Sequence, residues 1–316
     1  MTALRRLGWL ALVLAFGQIV FGAIVRITGS GMGCGDHWPR CAGYWLPPLE
    51  RPDLIIEVSH RYIAAGLTVA IIALAATAFV RRRLPGVGGP GGVLRSTLVA
   101  AMLVVLAALF GAATVKLELT NRSVIVTHLA IAMTLLAVLL VVIDRTRTPA
   151  PRIGAVSSRT LRAAYAAAGL VFLALVLGAL TAHIPGANTA CGGFPLCNGS
   201  LVPTAPIQHI QYTHRLIALL VLLHTAVLTM AVTRRKEAPV ILPARLTLAA
   251  IALQIVVAAV LVERNLPLVL RSLHEAVGTL IWLFAVWLSI VARRSAVAPV
   301  AARQPATAAG TVEASA

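Results

Sequence analysis

The sequence predicts an all-α membrane protein of eight transmembrane helices, arranged as two pseudo-repeated four-helix bundles. Of its 316 residues, 59% are hydrophobic and 12% are charged, and the mean hydropathy is +0.91. A soluble chain carries about 25% charged residues, whereas a run of about 20 apolar residues can cross a bilayer as a helix. Runs of this kind indicate spans at residues 7–27, 54–80, 96–115, 124–143, 163–183, 208–232, 246–262 and 272–292.

The net charge of +17 indicates orientation in a membrane rather than nucleic-acid binding. With a cytoplasmic N-terminus, 18 of the 27 Lys and Arg residues fall at the cytoplasmic ends of spans, which is the positive-inside bias. Both termini are therefore predicted to be cytoplasmic, and the loops at residues 28–53 and 184–207 external. The first span is interpreted as a membrane helix and not as a signal peptide, because no small-residue cleavage site follows it. The 18 residues are Arg5, Arg6, Arg81, Arg82, Arg83, Arg95, Arg145, Arg147, Arg152, Arg159, Arg162, Arg234, Arg235, Lys236, Arg245, Arg293, Arg294 and Arg303.

The two halves of the chain repeat each other. A His-Arg dipeptide, a loop cysteine pair, a histidine at the start of a span and a glycine near the end of a span recur in the same order. Because each half has four spans, both halves run in the same direction, as in a parallel repeat. The predicted units are residues 1–150, residues 151–294 and a disordered cytoplasmic tail, 295–316. The matching residues are His60-Arg61 and His214-Arg215, Cys34/Cys41 and Cys191/Cys197, His128 and His274, and Gly22 and Gly178.

Four histidines lie near the external ends of the even-numbered spans: His60, His128, His214 and His274. Ionisable residues within a membrane are costly and usually functional, although histidines that only satisfy helix packing are the alternative. Two histidines from different helices of a bundle can ligate a metal on opposite sides. Zinc requires about four protein ligands, and each half offers two. Bis-histidine haem is the better hypothesis, because the porphyrin supplies four nitrogens itself.

Three further residues beside these histidines are candidates for function. Arg61 and Arg215 follow their histidines directly and could hold haem propionates, with snorkelling to the membrane interface as the alternative. Glu57 lies one helical turn before His60, on the same face, and the matching residue in the second half is Gln211. Glu57 is therefore predicted to be an acid–base group that only the first pocket has, unless it is an ordinary helix-start carboxylate.

The four cysteines are predicted to lie outside the cytoplasm, where disulfides are permitted. Their spacing favours local pairs, Cys34–Cys41 and Cys191–Cys197. A zinc site is disfavoured, because the pairs lie in separate loops and only His37 stands between the first two. The remaining histidines, His183, His209 and His224, have no repeat counterpart and are interpreted as structural.

Taken together, residues 7–294 resemble the haem A synthases, membrane enzymes that convert haem O to haem A for terminal oxidases. The resemblance rests on TGSGMGC…WPRC (28–41), EVSHR (57–61), the context of His128, ACGGFPLCNG (190–199), QYTHR (211–215) and LHE (273–275). The first loop departs from the family's commoner Cys-Pro-Asp-Trp-Pro pattern at Gly35 to His37.

The resemblance implies a bacterial cell-membrane enzyme that oxidises a porphyrin methyl to a formyl group by successive hydroxylations. Glu57, His60 and His128 would hold the substrate haem O, and His214 and His274 a haem b cofactor. Cys34 and Cys41 would be redox candidates. The implied partners are membrane lipid, haem O synthase and a quinone or other electron acceptor, with homo-oligomerisation left open. The rivals are a dihaem b-type electron carrier, which typically has two histidines 13–14 residues apart on one helix, and a transporter.

Overall fold

The computed structural model describes residues 1–35, 40–147 and 156–296, and this part of the chain contains eight long helices. All eight are long and apolar enough to cross a membrane, which confirms the predicted spans. They are α1 (Thr2–Ile27), α2 (Pro52–Val80), α3 (Val93–Lys116), α4 (Arg122–Arg145), α5 (Ser158–His183), α6 (Gln208–Arg234), α7 (Ala238–Glu263) and α8 (Leu268–Ser295). His37 and the predicted tail beyond Ala296 lie outside the described residues.

The seventh helix is longer than its predicted span of 246–262. It begins at Ala238, and Pro239 occupies its first turn, where a missing N–H costs nothing. Pro243 lies inside the helix and donates no hydrogen bond to the preceding turn. The Thr247 hydroxyl donates to the Pro243 carbonyl at 2.7 Å. Because the two prolines interrupt the apolar run, the predicted span omitted the first two turns of this helix.

Each half forms a closed ring of four helices. In the first half α1 contacts α2, α2 contacts α3, α3 contacts α4, and α4 returns to α1. In the second half α5 to α8 repeat this order, with α8 returning to α5. Because successive helices are joined end to end, the even-numbered helices all start at the same end of the molecule.

Helix α8 is the centre of the structure. It contacts α1 and α4 as well as α5 and α7. More than half of its most apolar stretch (56%) is buried, against at most 33% in the other seven helices. Two polar contacts fix it to α4 across the halves: the indole of Trp282 donates to the Met133 carbonyl at 2.8 Å, and Arg294 pairs with Asp144 at 2.7 Å.

Candidate functional site

The four histidines singled out by the sequence lie at the same end of the molecule. His128, His214 and His274 are each the seventh residue of their helix and His60 is the ninth, which places them about 9–12 Å below the helix start at 1.5 Å per residue. His60 lies within electrostatic reach of His128, and His214 within reach of His274. The structure therefore brings the histidines together as one pair in each half.

Glycines on neighbouring helices make room for three of the imidazole rings. A Cβ atom at these glycines would lie only 3.0–3.2 Å from a ring atom, closer than carbon atoms normally approach. The two glycines of the repeated span ends, Gly22 and Gly178, are among them, so their recurrence has a packing reason. The distance from such an added Cβ atom would be 3.0 Å at Gly22 to His60 Nε2, 3.2 Å at Gly111 to His128 Cε1, and 3.1 Å at Gly178 to His214 Cε1.

Glu57 is 4% exposed, and both of its carboxylate oxygens are engaged. Its Oε2 accepts a hydrogen bond from the backbone N–H of Cys34 at 2.8 Å, and its Oε1 accepts one from Arg61 at 2.7 Å. Arg61 also donates to the Gly35 carbonyl at 2.9 Å. The carboxylate thus ties the first cysteine loop to the helix that carries His60.

Gln211 holds the cysteine loop of the second half in the same way. Its Oε1 accepts a hydrogen bond from the backbone N–H of Cys191 at 2.8 Å, the same distance as Glu57 to Cys34. Arg215 donates to the Cys191 carbonyl at 3.0 Å and to the Leu196 carbonyl at 3.0 Å. An amide and a carboxylate thus occupy equivalent positions and hold equivalent loops, but only the carboxylate also pairs with the arginine of its His-Arg dipeptide.

The two cysteine loops share one local fold. The sulfur atoms of Cys34 and Cys41, and those of Cys191 and Cys197, are at bonding distance. After the second cysteine of each loop, two residues with positive φ reverse the chain, as a type I′ turn requires. These residues are Ala42 and Gly43 in the first loop and Asn198 and Gly199 in the second. A tyrosine hydroxyl from the following helix ties down each loop: Tyr62 donates to the Trp45 carbonyl and Tyr212 to the Leu201 carbonyl.

A cavity of about 500 Å³ lies among the helices of the second half. His214 and His274 both line it, on different helices. Its walls are mostly apolar, with Val171, Ile251 and Ile281 among them. This volume is in the range of cavities that enclose a cofactor or drug-sized ligand.

The chemistry of this cavity fits a haem. The Nδ1 atoms of His214 and His274 are buried without a hydrogen-bond partner among the described residues, a costly state for a polar atom unless a ligand uses the ring. Within the same part of the chain, His, Cys, Asp and Glu nowhere gather in a group of three that could hold a metal ion. An iron at a histidine pair would therefore need further ligands from outside the protein, and a porphyrin supplies four.

The comparison with known families decides where this chain belongs. The family model COX15-CtaA, described as cytochrome oxidase assembly protein, matches residues 5–286. The chain belongs to the COX15-CtaA family. The match spans all eight helices, so the histidine pairs and both cysteine loops lie within it.

Several curated relatives in the COX15-CtaA family are similar over most of the chain. A heme A synthase of Geobacillus thermodenitrificans is 30% identical over 323 residues, which cover 97% of this chain and 96% of that protein. A heme A synthase of Geobacillus kaustophilus is 31% identical and covers 75% of each chain. One from Staphylococcus haemolyticus is 29% identical over 67% of this chain and 69% of its own length. These relatives confirm the resemblance that the sequence motifs indicated.

The two unmatched histidines with visible partners bond to backbone. Nδ1 of His183 lies 2.7 Å from the Ala179 carbonyl, and Nε2 of His224 lies 2.9 Å from the Ala163 carbonyl. Both contacts agree with the structural interpretation of these residues.

Sequence reasoning missed several polar residues of the second cavity, among them Arg26, Gln254, Arg271 and Glu275. The prediction that only the first pocket has an acid is wrong, because Glu275 lines the second. Gln254 donates to the His274 carbonyl at 2.9 Å, while its Oε1 is buried without a partner among the described residues. Glu275 was within reach of sequence reasoning, because it directly follows His274. Arg26 was not, because it lies on α1, in the other half of the repeat.

Proposed function

We propose that this chain is a haem A synthase, which oxidises a methyl group of haem O to the formyl group of haem A. The observation that carries the proposal is the pair of repeat-related histidine sites, which differ at one matching position. Glu57 lies one helical turn before His60, and neutral Gln211 stands at the equivalent place before His214. The family match and the heme A synthase relatives support the same activity. Two hydroxylations of one methyl carbon give a hydrate, and the hydrate loses water to become the formyl group.

The first half, residues 1–150, is assigned to the substrate. His60 and His128 would hold the iron of haem O from opposite sides, and the close fit of Gly22 and Gly111 against the rings fixes their orientation. Glu57 lies one turn from His60 and would accept or donate a proton at the reacting edge. Its bond to Cys34 N–H couples this acid to the first disulfide loop, which supports Cys34 and Cys41 as the redox candidates of this half.

The second half, residues 151–294, is assigned to the cofactor. A haem b bound there supplies one-electron redox chemistry. His214 and His274 would ligate its iron, and the apolar walls of the cavity would exclude water from its faces. Gln211 keeps the loop above this pocket in place, and the carboxylate of Glu275 in the cavity wall is paired with Arg26 at 2.7 Å.

The proposed orientation places both termini in the cytoplasm of a bacterial cell and the histidine pairs near the outer face. The excess of Lys and Arg at the predicted cytoplasmic ends of the spans supports this orientation. The disulfides support it too, since disulfides persist outside the cytoplasm. Electrons from the substrate would leave towards a quinone or another acceptor.

Pigment analysis tests the function directly. The chain is purified from a host that makes haem O and no haem A, and its haems are extracted. Haem b together with haem A, or with hydroxylated haem O, is the expected result. Haem b alone would favour the dihaem electron carrier instead.

The cofactor assignment has its own variants. His214→Ala and His274→Ala should each remove the low-spin haem b spectrum, because each deletes one of the two histidines that would hold the iron. A variant that keeps the full haem b absorbance would show that the ligand pair is misassigned.

A further inference from the structure

Two arginines and one glutamate meet at the rim of the second cavity. Arg26, the penultimate residue of α1, donates to Glu275 Oε1 at 2.7 Å. Arg271 precedes Glu275 by one helical turn and lies within electrostatic reach of both. All three side chains line the cavity. They lie at the helix ends, on the side of the molecule where His214 and His274 are found.

The charges on the cavity wall do not balance. Among the described residues that line it, three are arginines (Arg26, Arg215 and Arg271) and Glu275 is the one carboxylate. A guanidinium group keeps its charge at any physiological pH. Glu263 lies within electrostatic reach of Arg215, so the excess positive charge lies at Arg26 and Arg271, which share the one carboxylate of Glu275. Uncompensated charge at a partly desolvated site is costly, so this rim is complementary to a ligand that brings negative charge.

The arginine next to the histidine ligand is not the best placed to bind those charges. Arg215 already donates to three loop carbonyls, those of Cys191, Pro195 and Leu196. The side chain of Arg271, by contrast, makes no hydrogen bond among the described residues, and this residue is only partly buried. One guanidinium nitrogen of Arg26 donates a hydrogen bond to Glu275, and the guanidinium retains further N–H donors.

We infer that Arg26 and Arg271 bind the two propionates of the porphyrin in the second half. The inference rests on the proposed function and adds that the cofactor of one half is held in part by a side chain of the other. Glu275 fixes the Arg26 guanidinium over the rim, and Arg215 holds the loop that covers it. The apolar interior of the cavity matches the porphyrin ring, and its cationic rim matches the two propionates.

The test compares two ligands that differ only in their carboxylates. Full-length protein made under haem limitation is titrated with haem b and with its dimethyl ester, and dissociation constants are taken from the absorbance of the bound haem. The unmodified chain should bind the diacid about 10- to 100-fold more tightly than the diester, as expected for charge-assisted hydrogen bonds. Arg271→Gln and Arg26→Gln should each reduce the ratio of the diester to the diacid dissociation constant by about tenfold.

Arg264→Gln is the matched control, because Arg264 is exposed at the same end of the second half and does not line the cavity. Arg264→Gln should leave the ratio of the diester to the diacid dissociation constant unchanged. Arg271→Gln breaks no hydrogen bond seen here, so it tests the inference even if Arg26→Gln folds poorly. A full diacid preference in Arg271→Gln, or no preference in the unmodified chain, would overturn the inference. If neither ligand gives a low-spin spectrum in the unmodified chain, the cofactor assignment itself fails.

Discussion

Replacing Glu57 by Gln gives the first half the residue that the second half has at the matching position, Gln211. The amide oxygen can still accept from the Cys34 N–H, as Gln211 accepts from Cys191 at the same 2.8 Å. The lost interaction is the charge on the bond from Arg61, whose side chain is 14% exposed against 5% for Glu57. A hydrogen bond to a charged group contributes about 1.5–3 kcal/mol. We expect a loss of stability at the lower end of this range, because Arg61 keeps its bond to the Gly35 carbonyl.

The effect on turnover should be far larger than the effect on stability. If Glu57 moves a proton during oxidation, haem A formation in Glu57→Gln falls by about 10²-fold or more, a typical acid–base contribution. Haem b in the second half should stay near normal, since its ligands lie on other helices. The assay measures haem A by pigment extraction, haem b by its spectrum, and thermal stability of the purified protein in detergent.

Asp53→Asn is the matched control for this variant. Asp53 lies one turn before Glu57 on the same helix, but its side chain is 40% exposed and pairs with Arg51. Its loss should leave both haem A formation and haem b unchanged. Normal haem A formation in Glu57→Gln would refute the acid–base role and leave Glu57 as a residue that only holds the loop. Lost turnover together with lost haem b would point to a general folding defect.

Two more predictions follow from packing and charge. Gly178→Ala places a Cβ atom 3.1 Å from the His214 ring, so the ring must shift by a few tenths of an ångström. Overpacking of this kind costs about 1–3 kcal/mol. The haem b absorbance of Gly178→Ala should therefore weaken. Gly169→Ala on the same helix places its Cβ in open space and should leave the absorbance unchanged. If the two variants have the same haem b spectrum, the close approach of Gly178 to His214 is unimportant. A reporter fused after residue 294 should be cytoplasmic and one inserted near residue 195 external, and the reverse pattern in either fusion would overturn the orientation.

The sequence predicted the helices and the histidine sites because both depend on local patterns. Twenty apolar residues make a span whatever their neighbours are, and a His-Arg dipeptide that recurs in register marks equivalent helix positions. The start of α7 was missed because Pro239 and Pro243 interrupt the apolar run without ending the helix.

Contacts between the halves could not be predicted in the same way. Arg26 looked like one of many basic residues near a helix end, and only the packing of α1 against α8 brings it to Glu275. Arg61 and Arg215 looked like propionate ligands from their positions beside histidines. The folded loops show that both donate to carbonyl groups, which a sequence pattern does not reveal.

The central position of α8 has a consequence for the order in which the enzyme is assembled. This helix carries His274, and two turns later its Trp282 bonds to Met133 of α4, which lies five residues beyond His128. Any ligand that orders α8 therefore also restrains the helix bearing a histidine of the other pocket. Loading of the second half should precede and favour capture of substrate by the first, so that a chain without its resident pigment is slow to accept the molecule it modifies.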